Sequence, residues 1–438
     1  VLNSSSSFDC DVLVVGGGPA GATAASWLAR AGRTVILIER DRFPRFHIGE
    51  SLLASVNDVL DAIGAADVIR AAGFPKKWGA SFLTSDGSVD RFADFAAAPS
   101  VPQPQTWQVK REQFDELLLR HAGRSGADVR EGWRVTDFAF DADGVTVTCT
   151  AAGGAVTPLR ARLVVDASGR AGLLAHRFSL RIPEPSLENV AVFSHYAGVP
   201  RKDGRRSGDI RIIARDDLGW FWMIPVSDDL MSVGAVLPQQ AFKKFLRLEP
   251  EALLAQLIAE TPIAAELMGD AERRWPVRVE REFSYAARAY AGDRWITVGD
   301  AASFLDPMFS TGVAIALESA LEAAQAVHAG LSKGDVSTRA FSTYERRQRA
   351  RYRSFRRFVT MFYSAEFRDL FFSPDPPPKM FAAVVTLLAG YWNPPLMERF
   401  WIRMFFLLCR VQKRFGIVPS HLRPAPDAAP AAEPVRSR

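Results

Sequence analysis

Three glycines at 16, 18 and 21, an acid at Glu39 and a Gly-Asp pair at 299–300 are the first positions where residue type and spacing suggest chemistry. Gly16–Gly21 (GGGPAG) follows the β-branched run Cys10–Val15 (CDVLVV) and precedes the Ala-rich stretch Ala22–Ala31. In a strand–turn–helix context, Gly-x-Gly-x-x-Gly points to dinucleotide binding. The first glycine permits the tight turn, the second lets backbone approach a pyrophosphate, and the third lets helix and strand pack closely. The helix N-terminus offers free amides and partial positive charge to the phosphates. Glu39 ends a second strand, Thr34–Glu39, where a carboxylate can accept from ribose hydroxyls. Trp220 and Trp222 alternate within Trp220–Pro225 (WFWMIP), which puts both indoles on one face of a strand.

The elements that must position these residues form a βαβ unit at the start of the chain and a less regular middle. Gln113–His121 has a helical pattern, and Gly144–Thr150 and Ala161–Ala167 read as strands. Asp209–Ala214 and Trp220–Pro225, with turn signals around them, predict an antiparallel sheet across 187–240. Arg294–Val298 runs as a strand into Gly299-Asp300, and Gly312–Gly330 is strongly helical. From Ala340 to Phe415 the pattern is almost wholly helical, broken at Ser373–Pro378 and Asn393–Pro395. Residues 1–9 and the Pro/Ala-rich end are expected to be disordered.

Composition narrows the classes. The chain has 438 residues, enough for two or three domains, and its 48% hydrophobic and 24% charged residues exclude a disordered or fibrous protein. The net charge of +5 is small for this length, and the late Arg-rich run lies far from any nucleic-acid fold motif, so no nucleic-acid partner is expected. Cys10, Cys149 and Cys409 fit neither a disulfide framework nor a metal site, which implies a cytoplasmic, reducing location and no metal. No secretory signal is read in VLNSSSSFDC. No apolar run reaches the ~18 residues of a membrane span.

Two further segments choose the dinucleotide. RWITVGDAASFLDP (Arg294–Pro307) resembles the second FAD motif of the hydroxylase-type flavoproteins, whose Asp contacts the ribityl chain, and Asp166-Ala167-Ser168-Gly169 resembles that superfamily's Asp-x-x-Gly turn. The resemblance narrows at Trp220-Phe221-Trp222-Met223-Ile224-Pro225, the Trp-x-Trp-x-Ile-Pro signature of flavin-dependent halogenases. FPRFHIGESL (Phe43–Leu52), Lys77-Trp78-Gly79 and FLDPMFSTG (Phe304–Gly312) match further segments of that family. It covers about residues 8–330. It implies an α/β fold: a Gly-x-Gly-x-x-Gly (Rossmann-like) FAD-binding domain of the hydroxylase type, an antiparallel-sheet substrate domain and a helical C-terminal region. The implied boundaries are FAD-binding segments at 8–185, with inserted substrate-domain strands, and at 286–335, the substrate sheet at 186–285, C-terminal helices at 336–420 and a tail at 421–438.

By the same resemblance, Gly16, Gly18, Ala20, Gly21, Glu39, Arg40, Ser51, Arg111, Asp300 and Gly312 contact FAD. Thr311 and Gly312 hold chloride or bromide on their amides. Trp220, Trp222, Pro225, Pro307, Phe309 and Ser310 shape the tunnel. Reduced FAD and O₂ oxidise halide to hypohalous acid, which a lysine captures and aims at an electron-rich ring. Lys76 and Lys77 compete for that role, and the family spacing to Gly79 selects Lys77. Gly49, Glu50 and Ser51 are expected to form a loop that moves with flavin occupancy, and His47 is not read as a catalytic base. With no second glycine-rich βαβ unit for a nicotinamide, reduced flavin is expected from a partner flavin reductase.

Tryptophan halogenases carry Glu immediately before the motif's serine, where this chain has Phe309. That departure implies a phenol or pyrrole, free or tethered to an acyl carrier protein, rather than free tryptophan. Tyr344–Arg357 (YERRQRARYRSFRR) is either a solvated basic face or a dock for an acidic carrier. Met380–Phe406 reads as a wall or lid over the tunnel, with weak membrane-surface contact as the lesser alternative. The rival readings are a hydroxylase or epoxidase of the same fold, a prenyl-chain reductase and a non-enzymatic flavin-binding protein.

Overall fold

A computed structural model describes residues 8–374 and 376–420. The expected tail at 421–438 and most of the N-terminal lead lie outside the described residues. The chain opens with β1 (Cys10–Val15), α1 (Pro19–Arg30) and β2 (Val35–Glu39), the βαβ unit that the glycine spacing requires. Helix α1 starts three residues earlier than its Ala-rich pattern suggested. Gly18 is extended and serves as the N-cap, and Pro19 fits the first helical position because it needs no amide partner there. Strand β1 pairs in parallel with β2 on one side and with β3 (Val156–Asp166) on the other. Trp295–Thr297 and Asp128–Glu131 extend the parallel sheet at its two flanks. An antiparallel meander, Trp133–Phe140 and Val145–Ala151, lies against the outer half of β3.

The second sheet is built around β4 (Arg181–Ala197), β5 (Ile210–Ala214), β6 (Trp220–Pro225) and β7 (Leu230–Pro238) in the order β4-β7-β6-β5. Its outer strands come from elsewhere in the chain: Gly79–Leu83 and Asp90–Asp94 beyond β5, and Arg278–Ala287 and Ser303–Phe304 beyond β4. All these pairings are antiparallel except that of β5 with Gly79–Leu83, so the expected antiparallel sheet is mixed at that junction. The parallel pair matters, because it delivers the segment just after Lys77 to the tryptophan sheet.

Helix α2 (Arg111–Arg124) and the 23-residue α3 (Thr311–Lys333) pack on α1. Val313, Ala314, Leu317, Ala320, Ala324 and Val327 form the buried stripe of α3, an i, i+3, i+4 pattern that drives it into the first core. Four more helices follow: α4 (Ser342–Phe362), α5 (Ala365–Phe372), α6 (Pro378–Leu388) and α7 (Leu396–Phe415), interrupted where the prolines cluster. Phe355, Phe358, Phe362, Phe367, Phe405 and Phe406 join Trp220, Trp222 and Phe309 in one buried cluster. The C-terminal helices thus cover the tryptophan face of the second sheet.

Candidate active site

A cavity of about 690 Å³ runs between the two sheets. At one end its wall is the glycine turn: Gly16, Gly18, Ala20, Glu39 and Arg40 line it. Gly21 does not, because its role is contact. A Cβ there would sit 1.8 Å from the Gly16 carbonyl oxygen, so only glycine lets α1 approach the turn. Glu39 is buried and braced, its carboxylate accepting from the amides of Gly17 (2.6 Å) and Asp41 (2.8 Å). Asp166 is pushed up by burial and ties the turn after β3, accepting from the amides of Ser168 and Leu174.

Arg111 and Asp300 face the middle of the cavity. Asp115 grips the Arg111 guanidinium through two oxygens (2.7 and 2.9 Å), and its remaining arm donates to the Ile48 carbonyl at 2.7 Å. Burial pushes Asp300 up to about 6, with Arg111 and Arg170 pulling it back. His47 is driven down to about 4, first by burial and then by Arg111, so it is neutral and poorly suited to act as a base at neutral pH. Ser310, at φ +55°, starts α3 with no side-chain cap, and a Cβ on Gly312 would meet nothing within 4 Å. Open space therefore faces the uncapped helix end, where free amides suit an anion.

At the far end stand Trp220 and Trp222, on one face as the alternation required, with ring centroids 5.9 Å apart. Gly234 lies directly across from Trp222 on β7, and a Cβ there would fall 2.3 Å from the indole. The indole nitrogen of Trp222 donates to Ser232 Oγ at 3.1 Å. That of Trp220 donates to the Tyr363 hydroxyl at 2.8 Å, and Tyr363 in turn donates to Asp306 at 2.8 Å. Asn189 and the Met308 amide also donate to Asp306, which burial raises to about 6.

Five of the residues expected at the site stand back from the cavity. Besides Gly21, Pro225 ends β6 in register with Met231, and the Thr311 side chain is buried with its hydroxyl unpartnered. Phe309 stacks on Phe358 at 4.4 Å inside the helical cover, so it shapes the site through that packing rather than by lining it. Lys77 is the most informative of the five. It is only 1% exposed, and its ammonium donates to Ser51 Oγ (2.9 Å) and the Leu52 carbonyl (2.8 Å), over the ring of Phe95. Ser51 lines the cavity, so the lysine sits one side chain behind its wall. Lys76 is exposed.

Two buried carboxylates carry roles that no spacing signals. Asp209 accepts from the amides of Trp78 (2.8 Å) and Gly79 (3.0 Å), holding the turn after the lysine. Burial pushes Lys77 down to about 7, and Asp209 is the charge that opposes the shift. Glu50 pairs with His195 Nε2 at 2.7 Å, both buried, and its second oxygen has no hydrogen-bond partner among the described residues.

The sequence matches the FAD binding domain family over residues 9–359. It is 33% identical over 393 residues to the 1H-pyrrole-2-carbonyl-[peptidyl-carrier protein] chlorinase of Pseudomonas fluorescens, covering 85% of this chain and 87% of that one. The chain belongs to the flavin-dependent halogenases. The fold of this halogenase also superimposes on the myxobacterial chondrochloren halogenase with a TM-score of 0.75 at 33% identity, covering 94% of this chain and 98% of that one. A flavoprotein/dehydrogenase from Cytophaga hutchinsonii gives a TM-score of 0.85 at 31% identity over 92% and 99% of the two chains. As a halogenase it is an oxidoreductase that uses FAD and halide. The cavity fits that cofactor: an uncapped helix end at α1, Arg40 and Arg111 in its wall, and open space at Gly312. No helix among the described residues is long and apolar enough to cross a membrane.

Proposed function

We propose that this halogenase places chlorine or bromine on a phenol or pyrrole ring and that Lys77 is the residue that captures and aims the halogen. When bound in reduced form, FAD supplies the electrons with which O₂ converts halide to hypohalous acid. The groups proposed to hold it are the α1 N-terminus, Glu39, Arg40, Arg111 and Asp300. The halide is held at the start of α3 by main-chain amides, with Gly312 leaving the space open. Reduced flavin comes from a separate reductase.

The observation that carries the reading is the lysine's setting. A buried amine whose pKa lies near 7 is partly unprotonated at neutral pH, and two of its hydrogens are already directed at Ser51 and Leu52. Its orientation is fixed before an oxidant arrives, which is how proximity converts a diffusing reagent into a regioselective one. In the overall step a C–X bond forms on the ring as the O–X bond of hypohalous acid breaks; the ring proton leaves and water is released. Trp220 and Trp222 wall the cavity, and in this reading they keep ring oxidation away from the cofactor. Because Phe309 supplies no carboxylate, the substrate must be nucleophilic on its own account. A pyrrole or phenol meets that need, and the Pseudomonas relative acts on a carrier-bound pyrrole.

The test is mass spectrometry of products formed with a flavin reductase, NADH, FAD, chloride or bromide, and a panel of free and carrier-tethered phenols and pyrroles. An added halogen isotope pattern supports the reading. Hydroxylated product with no halide requirement sinks it.

A further inference from the structure

Ion pairs take up four of the seven arginines of helix α4, while Arg346, Arg353 and Arg357 are exposed and have no carboxylate partner among the described residues. Arg347 and Arg351 are paired with Glu322, Arg349 with Glu345, and Arg356 with Glu184. Arg351 is itself only 2% exposed. Unpaired positive charge continues onto α7, whose Arg403 and Arg410 neighbour Arg357. Its solvent stripe runs Leu396, Phe400, Arg403, Leu407, Arg410 and Arg414 at spacings of four and three, one face of a helix, and all six are exposed. Leu396 is 79%, Phe400 49% and Leu407 46% exposed, unusual for side chains of this size. Among the described residues neither Arg403 nor Arg410 has a carboxylate partner. With burial, these two lower the pKa of neighbouring Arg357, a sign of uncompensated positive charge.

The inner face of α7 reaches toward the lysine. On its inner face α7 buries Ile402, Phe405 and Phe406 in the cluster that holds Trp220 and Phe95. Near its N-terminus Glu398 accepts from Ser100, a few residues beyond Phe95, the ring under Lys77. Arg403 and Arg410 stand within the apolar stripe rather than flanking it. An interfacial membrane helix separates its apolar face from its charges, whereas an acidic protein surface can satisfy both at once. Charge complementarity therefore favours an acidic protein.

We propose that the outer stripe of α7 docks an acidic carrier protein that presents the aromatic acyl group on a phosphopantetheine arm. This rests on the carrier-borne form of the substrate proposed above. Its experiment uses a peptidyl carrier protein loaded with pyrrole-2-carbonyl, beside the same acyl group as a small free thioester. Arg403→Glu with Arg410→Glu is expected to weaken carrier binding about tenfold or more and to raise KM for the carrier substrate alike. Turnover of the free thioester and retention of FAD stay unchanged. Arg403→Gln with Arg410→Gln gives a smaller loss, and raised salt weakens the wild type but hardly affects the charge-reversed variant. Wild-type binding that the charge reversal leaves intact overturns the α7 surface alone. Absence of carrier binding and carrier turnover in the wild type overturns the carrier reading and this surface together. Binding to phosphatidylglycerol vesicles that the reversal abolishes, with carrier affinity unmoved, assigns the stripe to lipid and overturns the proposal.

Discussion

At the glycine-turn end of the cavity the groups proposed to hold the cofactor and halide are largely main chain: amides at the starts of α1 and α3, with open space at Gly312. At the lysine end one buried amine is held by a hydroxyl, a carbonyl and the field of a carboxylate. Backbone sites tolerate many side chains but depend on what is missing, a Cβ. The lysine niche depends on one side chain and on everything that desolvates it. Damage at the two ends should therefore separate cofactor binding from halogen transfer.

The largest separation is expected from Lys77→Ala. Product formation should fall by about 10³-fold or more, the scale of losing a positioned group that handles the reacting proton. FAD retention and consumption of reduced flavin should persist. Lys76→Ala should remain near wild type, since Lys76 is exposed and lies outside the niche. Near-normal halogenation by Lys77→Ala in a product assay would remove the lysine from the mechanism. The converse lesion is Gly18→Val. A side chain there would enter the cavity near Arg45, whose Nη2 lies 3.3 Å from an ideal Cβ. Flavin affinity should drop about 100-fold, some 2.7 kcal/mol, in a fluorescence titration. Saturating FAD should restore transfer, because Lys77 is untouched.

How well each end could be read from sequence follows the same division. The glycines, Glu39 and Gly299-Asp300 recur at fixed spacings because the backbone geometry they serve is local. The niche is assembled from distant pieces. Asp209 lies 131 residues from the Trp78 amide it accepts from, and no periodicity links the two. Ser51 was read as a flavin contact, and only the fold shows that it also receives the lysine. The Arg-rich α4 was only partly legible for a related reason: sequence counts arginines but does not reveal which of them Glu318, Glu322 and Glu184 pair with. Phe309 was legible as a departure, while its place under Phe358 depended on helices with no recognisable motif.

A smaller effect should distinguish the niche by its titration. Lys77 drops from 10.5 to about 7 on folding, so between those values the unfolded chain binds the additional proton. Stability therefore rises with pH across that window, and the cost of the buried ammonium is fully present only below about pH 7. Thermal midpoints of the wild type should climb relative to Lys77→Met from pH 7 towards 10. Asp209→Asn retains an acceptor for Trp78 and Gly79 but removes the opposing charge, so its climb should begin at lower pH. Parallel pH profiles for wild type and Lys77→Met would mean that the lysine is not desolvated as described.

The smallest expected effect concerns the tryptophan wall of the cavity. Tyr363 belongs to the C-terminal helices, yet its hydroxyl accepts from Trp220 and donates to Asp306, which also receives Asn189 and the Met308 amide. One oxygen thus connects the tryptophan strand to the loop that leads into α3. In Tyr363→Phe the ring still packs, but the indole N–H and one side of Asp306 lose their partner. Leaving buried polar groups unsatisfied costs about 1–3 kcal/mol, so the thermal midpoint should fall by a few degrees. Asp306, already raised to about 6, should rise further without that donor. Flavin affinity should hold, since neither Tyr363 nor Asp306 lines the cavity. Halogenation should decline only several-fold, with more reduced flavin consumed per product because Trp220 is less firmly held. If coupling of flavin consumption to product is unchanged while stability falls as expected, the tryptophan wall does not depend on this hydroxyl. If flavin affinity falls instead, the helical cover supports the cofactor end, and the division between the two ends must be redrawn at Trp220.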